Sequence, residues 1–134
     1  MSKLKHTFKY TKAGRYKRPL IPIMLRFNKT DVGTLALIDS GADFNIFHAD
    51  LAKPLGLDLS KLKEIEFGGI KKQNGQCKGY LAVIEIGVGG NFYNCAVLFS
   101  KDISDNGYGI LGQIGFFDQF RVTLDYKTDQ IYLK

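Results

Sequence analysis

The sequence predicts a mostly β protein, folded as a small closed β-barrel with one or two short helices. Apolar residues cluster or alternate over short runs, and glycine, asparagine and other turn formers separate these runs. At 134 residues the chain has the length of one domain. Hydrophobic residues make up 45% of it and charged residues 24%, so it has enough apolar material for one packed core.

The predicted strands follow one another from residue 20 to the end of the chain. Each is a short apolar-rich run bounded by turn-forming residues. They cover residues 20–27, 32–38, 65–67, 80–88, 92–99, 122–126 and 130–133. The polar breaks at 28–31 and 89–91 contain asparagine or glycine, which suit hairpin turns. We therefore expect neighbouring strands to pair as hairpins at these two breaks.

Two helices and two loops complete the prediction. The first helix covers residues 47–55 and should end near Pro54, because proline cannot continue a helix interior. The second covers 114–120, where apolar residues recur at a spacing of three. The segment 68–79 contains four glycines and is predicted to be a loop, as is the polar segment 100–109.

Basic residues are concentrated at the N-terminus. Residues 1–30 contain nine Lys or Arg and no acid, whereas the rest of the chain has ten basic and thirteen acidic residues. We divide the chain into a basic N-terminal extension, residues 1–18, and a domain, residues 19–134. Such an arm is able to bind nucleic acid or a membrane surface. Because neither an aromatic-interleaved platform for reading bases nor a phosphate-binding loop accompanies it, we interpret it as a solvated, partly disordered extension.

The sequence shows neither a secretion signal nor a membrane span. The charged residues 1–6 are not followed by an apolar segment, and no apolar run is long enough to cross a bilayer. The spacing of Cys77 and Cys95 fits no zinc or redox motif, which favours two free thiols. These observations predict a cytoplasmic protein.

The strongest chemical signal is the run Leu-Ala-Leu-Ile-Asp-Ser-Gly-Ala-Asp at residues 35–43. An apolar strand leads into a tight turn at Asp39, where the Ser40 hydroxyl and backbone N–H groups can hold the carboxylate. Gly41 permits close approach of another backbone. The same triplet also occurs in ordinary β-turns, because all three residues favour turns.

A second motif, far along the chain, completes a resemblance to a known family. The run Ile-Leu-Gly at 110–112 is followed by Phe-Phe at 116–117 and by an apolar strand ending at Asp125. Together with the Asp39 turn, this pattern resembles the single-lobed, retropepsin-like aspartic proteases over residues 20–134. The resemblance implies the retropepsin barrel. It also implies catalytic Asp39 with supporting Ser40, Gly41 and Ala42, and substrate-binding Asp43, Ile110, Leu111 and Gly112.

The glycine-rich segment 68–79 resembles the flap that closes over substrate in this family. Gly68, Gly69 and Ile70 resemble part of a flap tip, and glycines at bends allow a flap to open and close. A surface hairpin without a role is the alternative interpretation.

The chain departs from its retroviral relatives at Gln113. An arginine at that position in those relatives pairs with an acid that Asp43 matches here. The resemblance therefore does not imply this ion pair, and Asp43 is left to bond substrate, Gln113 or water.

The leading hypothesis is a homodimeric aspartic endopeptidase that cuts peptides or proteins at an Asp39/Asp39 dyad. The chemistry needs two carboxylates that share one proton, and the chain carries one Asp-Ser-Gly motif. The second aspartate must then come from a second copy. No metal or cofactor is expected, and Ile110 and Ile70 would favour apolar residues at the cut.

Two alternatives stay open. One is a catalytically silent, dimeric peptide-binding module of the same fold, and the other is nucleic-acid binding through the basic arm. We expect neither a membrane nor nucleic acid as the main partner.

The resemblance also implies that the chain termini build the dimer interface as interleaved strands. Residues 130–134 alternate in polarity, with Ile131 and Leu133 on one face. Such a terminal strand leaves unpaired edge groups unless it finds a partner. We therefore expect it to pair with a second copy.

Overall fold

The structure, a computed structural model, describes residues 5–72, 75–103 and 107–134; the side chains of residues 69–76 lie outside the description. Its twelve strands are β1 (His6–Lys9), β2 (Thr11–Ala13), β3 (Tyr16–Arg18), β4 (Leu20–Phe27), β5 (Thr30–Ile38), β6 (Asn45–His48), β7 (Lys63–Lys72), β8 (Gly75–Val88), β9 (Asn91–Ser100), β10 (Tyr108–Leu111), β11 (Val122–Asp125) and β12 (Gln130–Leu133). Two 3₁₀ turns cover Ala49–Leu51 and Leu59–Lys61. No helix in the described ranges is long and apolar enough to cross a membrane.

Six strands close into a barrel. Their order is β4-β5-β10-β6-β9-β8, and β8 pairs back with β4. Most neighbours are antiparallel, but β10 runs parallel to β5 and β6 runs parallel to β9. β7 lies outside the ring and pairs with β8 as a hairpin. The predicted mostly β, closed barrel is confirmed.

Side-chain alternation along the strands fills the barrel. In β4, Ile21, Ile23 and Leu25 are at most 3% exposed, whereas Pro22 and Met24 between them face outward. Burying one such aliphatic side chain contributes about 1.5–3 kcal/mol to folding. The buried alternate residues therefore anchor β4 to the barrel interior.

A second, smaller apolar cluster lies on the outer face of the barrel wall. We call it the outer cluster; its buried members are Ile46, Phe67, Cys77 and Leu98. Ile46 and Leu98 alternate with residues whose side chains enter the main core, so they lie on the opposite face of β6 and β9. Phe67 and Cys77 come from the β7–β8 hairpin, which is thereby packed against this face.

Neither predicted helix forms. Residues 45–48 are β6, which lies between β10 and β9, and the only regular structure after it up to residue 55 is the 3₁₀ turn Ala49–Leu51. Burial of β6 on both faces overrides the helical propensity of this run. Within 114–120, Ile114 forms an isolated bridge with Phe44 and residues 115–119 form consecutive turns, in which Gly115 has a φ of +104°. Such a backbone angle is incompatible with a right-handed helix.

The predicted loop at 68–79 is strand wherever the structure describes it. Phe67 pairs with Cys77 and Lys72 with Gly75, with a register irregularity between these pairs. A Cβ on Gly79 would lie 3.0 Å from Cβ of Leu98, so this glycine permits close packing. The glycine at position 79 therefore reflects close packing against Leu98 and not a loop. The two cysteines are free thiols, as predicted.

Residues 6–18 are ordered as strands, so the expectation of a partly disordered arm is wrong for them. β1 pairs with β12, while β2 and β3 form a separate hairpin. Lys17 Nζ in β3 lies 2.5 Å from Oδ1 of Asp129 and 4.0 Å from the ring centroid of Tyr126. Phe8 and Tyr10 pack against the main core. The domain boundary at residue 18 stays a prediction.

The C-terminal strand does not need a second copy to pair. β12 is the central strand of a three-stranded sheet, ordered β1-β12-β11, which we call the terminal sheet. Ile131 and Leu133 face the core and are buried, as the alternation predicts. Because both edges of β12 are occupied within the chain, the expected pairing of this strand with a partner is wrong.

Candidate active site

Asp39 directly follows the last residue of β5. Its N–H donates to the carbonyl oxygen of Leu111 at 2.9 Å, and its carbonyl oxygen accepts from the N–H of Ala42 at 3.1 Å. β10 runs parallel to β5 with Leu111 opposite Ile38. The two sequence motifs are therefore joined at this one position.

The turn orients the Asp39 carboxylate through its Oδ1 atom. The N–H of Gly41 donates to Oδ1 at 2.9 Å. A Cβ on Gly41 would lie 3.2 Å from the same oxygen, so a larger residue would crowd the carboxylate. Asp39 itself is half-buried, and Ser40 and Gly41 are exposed. The carboxyl group is thus oriented by the Gly41 N–H, and the residue that carries it is half-buried next to exposed neighbours.

Gly112 lies where the two motifs cross. Its N–H donates to Oδ1 of Asn45 at 3.0 Å. A Cβ there would lie 2.4 Å from the carbonyl oxygen of Phe44 and 2.6 Å from that of Ala42. The latter oxygen accepts the N–H of Gln113 at 2.8 Å. Only glycine fits this crossing, because the obstructing atoms belong to the backbone.

Asn45 supports the site and was not found from the sequence. Its side chain is fully buried, and besides the bond to Gly112 its Nδ2 lies 3.7 Å from Sγ of Cys95. Burial raises the pKa of the Cys95 thiol to about 11; the hydrogen bond from Asn45 acts in the opposite direction and the charge of Asp118 adds to the rise. The sequence feature that could have indicated this role is an amide residue within the otherwise apolar run at 44–47, because a buried polar side chain needs hydrogen-bond partners.

Gln113 braces the Asp39 turn through its side chain. Its Nε2 donates to the carbonyl oxygen of Ser40 at 2.9 Å. Asp43 is exposed, and its backbone oxygen accepts the N–H of Ile114 at 2.9 Å. Gln113, one of the partners expected for Asp43, therefore bonds to the turn at Ser40.

Two apolar residues directly neighbour the segments that hold the Asp39 turn. Ile110 and Phe44 are partly buried against the outer cluster. Ile110 directly precedes Leu111, whose carbonyl oxygen holds Asp39. The predicted residues from Asp39 to Asp43 and from Ile110 to Gly112 are therefore brought together.

The predicted flap residues are placed only in part. Gly68, Gly69 and Ile70 lie in β7, at the end of the hairpin that packs on the outer cluster. The side chains at 69 and 70 lie outside the described part, so a contact of Ile70 with the site is not described.

A surface pocket of about 140 Å³ lies elsewhere. Thr34, His48, Asp50 and Tyr108 line part of it. Thr34 precedes Asp39 by five residues along β5, a distance of about 16 Å in an extended strand. Nδ1 of His48 accepts the N–H of Asp50 and caps the 3₁₀ turn there. This pocket is not part of the carboxylate site.

The site of one chain offers one oriented carboxylate, open to the surface beside apolar side chains. A carboxylate in this position can act as a general base on a water molecule. Hydrolysis of a peptide bond also needs an acid to polarise the carbonyl group. The described residues of one chain thus supply half of such a site.

Comparison with known proteins agrees with this geometry. A family model described as aspartyl protease matches residues 23–113, which include both motifs. The chain therefore belongs to the aspartyl protease family. No curated protein matches the sequence.

Solved structures show that the fold is retropepsin-like, as the sequence motifs predict. A retropepsin-like aspartic protease from Rickettsia conorii has a TM-score of 0.65 and 21% identity, over 99% of this chain and 96% of that one. EIAV protease, solved in complex with the inhibitor HBY-793, has a TM-score of 0.51 and 18% identity, over 77% of this chain and 88% of that one.

Proposed function

We propose that the protein is a homodimeric aspartic endopeptidase that hydrolyses peptide bonds at an Asp39/Asp39 dyad. The observation that carries this proposal is the carboxylate of Asp39, oriented by Gly41 and tied to the second motif through Leu111. Membership of the aspartyl protease family supports the same chemistry.

Two copies are required because one chain supplies one such carboxylate. Two carboxylates a few ångström apart cannot both ionise, so the pair holds one proton, a behaviour known for aspartic proteases as a class. The ionised Asp39 takes a proton from the shared water, and the resulting hydroxide adds to the scissile carbonyl carbon. The protonated Asp39 of the other copy donates its hydrogen bond to the carbonyl oxygen. A symmetric dimer places the two groups on either side of its two-fold axis.

The terminal sheet offers edges for this dimer. Its outer strands are β1 and β11, and each has one edge that pairs with no other described strand. Leu124 in β11 points to the same face as the buried Ile131 opposite it, yet it is 45% exposed. A second copy that pairs along such an edge would extend the sheet and cover apolar surface of this kind.

The substrate we propose is an extended peptide with apolar side chains next to the cut. Ile110 and Phe44, which neighbour the segments that hold Asp39, pack on the outer cluster, and so does the β7–β8 hairpin. This position suits a flap that closes over a bound peptide. The flap role rests on that position and on the family resemblance.

The decisive variant is Asp39→Asn. An amide keeps an oxygen that can accept the N–H of Gly41, so the fold should persist, while cleavage of casein should disappear. Asp50→Asn is the matched control, because its side chain is 84% exposed on the 3₁₀ turn. Undiminished cleavage by a clean Asp39→Asn preparation rules out the proposed chemistry.

Mixing wild-type and Asp39→Asn chains tests the shared site. If half of the chains carry the substitution and pair at random, about a quarter of the dimers have two Asp39 carboxylates, so activity per wild-type chain falls to about half. A monomeric enzyme would keep full activity per wild-type chain. Activity highest in acid and blocked by pepstatin-type inhibitors is also expected.

A further inference from the structure

The outward face of the terminal sheet carries three ordered rows of side chains. Thr7, Tyr132 and Thr123 lie opposite one another on β1, β12 and β11. Because side chains alternate along a strand, the neighbouring rows on this face lie two residues away. One of them is Lys9, Gln130 and Asp125. The other is Lys5, Lys134 and Arg121, which we call the basic row.

The register of the basic row is supported by direct contacts. The backbone N–H of Arg121 donates to the carbonyl oxygen of Lys134 at 2.8 Å, and the reverse bond measures 3.1 Å. The β1–β12 ladder ends with His6 opposite Leu133, and the same register continued by one residue places Lys5 opposite Lys134. All three side chains of the row are exposed. Adjacent strands lie about 4.8 Å apart, so three positive charges span about 10 Å.

This arrangement disfavours the fold unless an anion occupies it. Like charges directly opposite each other on neighbouring strands destabilise a sheet. Among the described residues, none of the three basic side chains forms a salt bridge. The nearest acid on this face, Asp125, lies two rows away and its Oδ1 accepts the N–H of Thr128.

An aromatic ring lies next to the basic row. Tyr132 is the centre of the middle row, 43% exposed, with small threonines on both sides. A ring framed by small residues is open to stacking by a flat group. The fold thus places this ring, from the C-terminal strand, directly opposite Thr7 of the basic arm.

We propose that this face binds single-stranded nucleic acid, with phosphates on the basic row and a base stacked on Tyr132. A membrane fits less well, because interfacial surfaces insert large apolar side chains, and this face carries none besides the tyrosine. The proposal goes beyond the proteolytic function and does not depend on it. Pairing of two copies through the sheet edges would leave the face open.

The test measures fluorescence anisotropy of a labelled 15-nucleotide oligouridylate with the intact protein over a range of salt concentrations. The variant Lys5→Gln/Arg121→Gln/Lys134→Gln should bind at least tenfold more weakly at low salt. Its slope of log affinity against log salt should be smaller by about 2, since each lost phosphate contact contributes about 0.7. A control with the same change in net charge is Lys53→Gln/Lys61→Gln/Lys63→Gln, which should bind as wild type.

The ring is tested separately. Tyr132→Leu keeps a strand-compatible apolar side chain but removes the stacking surface, so affinity should fall about tenfold. Tyr16→Leu is its control, because Tyr16 is 61% exposed on the β2–β3 hairpin, which is a separate sheet. Thermal unfolding checks that all variants are folded.

Three results would overturn the proposal. The first is equal binding by the basic-row variant and its charge-matched control. The second is loss of binding with Tyr16→Leu but not with Tyr132→Leu, which places the site on the hairpin. The third is equal competition by polyglutamate, or binding to phosphatidylserine vesicles without binding to the oligonucleotide, because either identifies a different anionic partner.

Discussion

Gly112→Ala should destabilise the fold at the point where the two motifs cross. The added Cβ would lie 2.4 Å from the carbonyl oxygen of Phe44 and 2.6 Å from that of Ala42. Both obstructing atoms are backbone, so relief requires the two segments to separate. Separation strains the bonds from Gly112 N–H to Asn45 and from Gln113 N–H to Ala42. Overpacking costs about 1–3 kcal/mol and each of the two hydrogen bonds, if lost, about 0.5–1.5 kcal/mol, so the free energy of unfolding should fall by about 2–6 kcal/mol.

Urea unfolding followed by circular dichroism measures this loss, and Gly33→Ala is the control. Gly33 lies in β5, the strand that leads to Asp39, and a Cβ there would approach nothing nearer than Cε of Met24 at 3.9 Å. Alanine at such a position should be neutral or stabilise by up to about 1 kcal/mol. A Gly112→Ala protein within about 0.5 kcal/mol of wild type, the range of ordinary surface substitutions, would refute the packing argument.

Three further predictions follow from the same contacts. Asn45→Ala leaves the buried N–H of Gly112 without its acceptor, so urea unfolding should show a loss of about 1–3 kcal/mol. Since burial raises the pKa of Cys95 from 9.0 to about 11, the unfolded state releases this proton first, and stability should fall as pH rises between these values. In a Cys77→Ser background, iodoacetamide at pH 8 should modify Cys95 about a hundredfold more slowly in folded than in unfolded protein. The hydrogen bond from Lys17 lowers the pKa of Asp129, so the stability it adds should be lost as pH falls through that lowered pKa, and Lys17→Met should remove this acid dependence in thermal unfolding.

Local patterns predicted those parts of the fold that depend on local structure. Strand β4 has the bounds that its apolar run predicts, and Asn28 and Lys29 both take positive φ in the turn that follows. The Asp39 turn is equally local, since its hydrogen bonds to Gly41 and Ala42 join neighbouring residues. Short-range turns of this kind can be predicted from the residue types in a sequence.

Pairings between distant segments could not be predicted from the sequence. The run at residues 47–55 has the composition of a helix, but its first residues enter β6 because β9 and β10 offer edges on both sides. Likewise β1 finds β12 at the far end of the chain, which no feature of the basic arm predicts. Asn45 became a candidate only when the structure placed its amide between Gly112 and Cys95. Tertiary context decides in each case.

The contacts around Asp39 also bear on the alternative of a catalytically silent module. The described contact of this side chain uses one oxygen, which accepts the N–H of Gly41. An asparagine side chain would supply such an oxygen equally well. Half-buried and without a described cation beside it, the negative charge itself adds little to the stability of one chain. In a dimer that brings two copies together the charge would be unfavourable, because like charges repel at short range. A peptide-binding module gains nothing from such a residue, whereas a protease needs it to accept the proton of water. The acid at position 39 therefore favours the proposed catalytic role over a purely structural one.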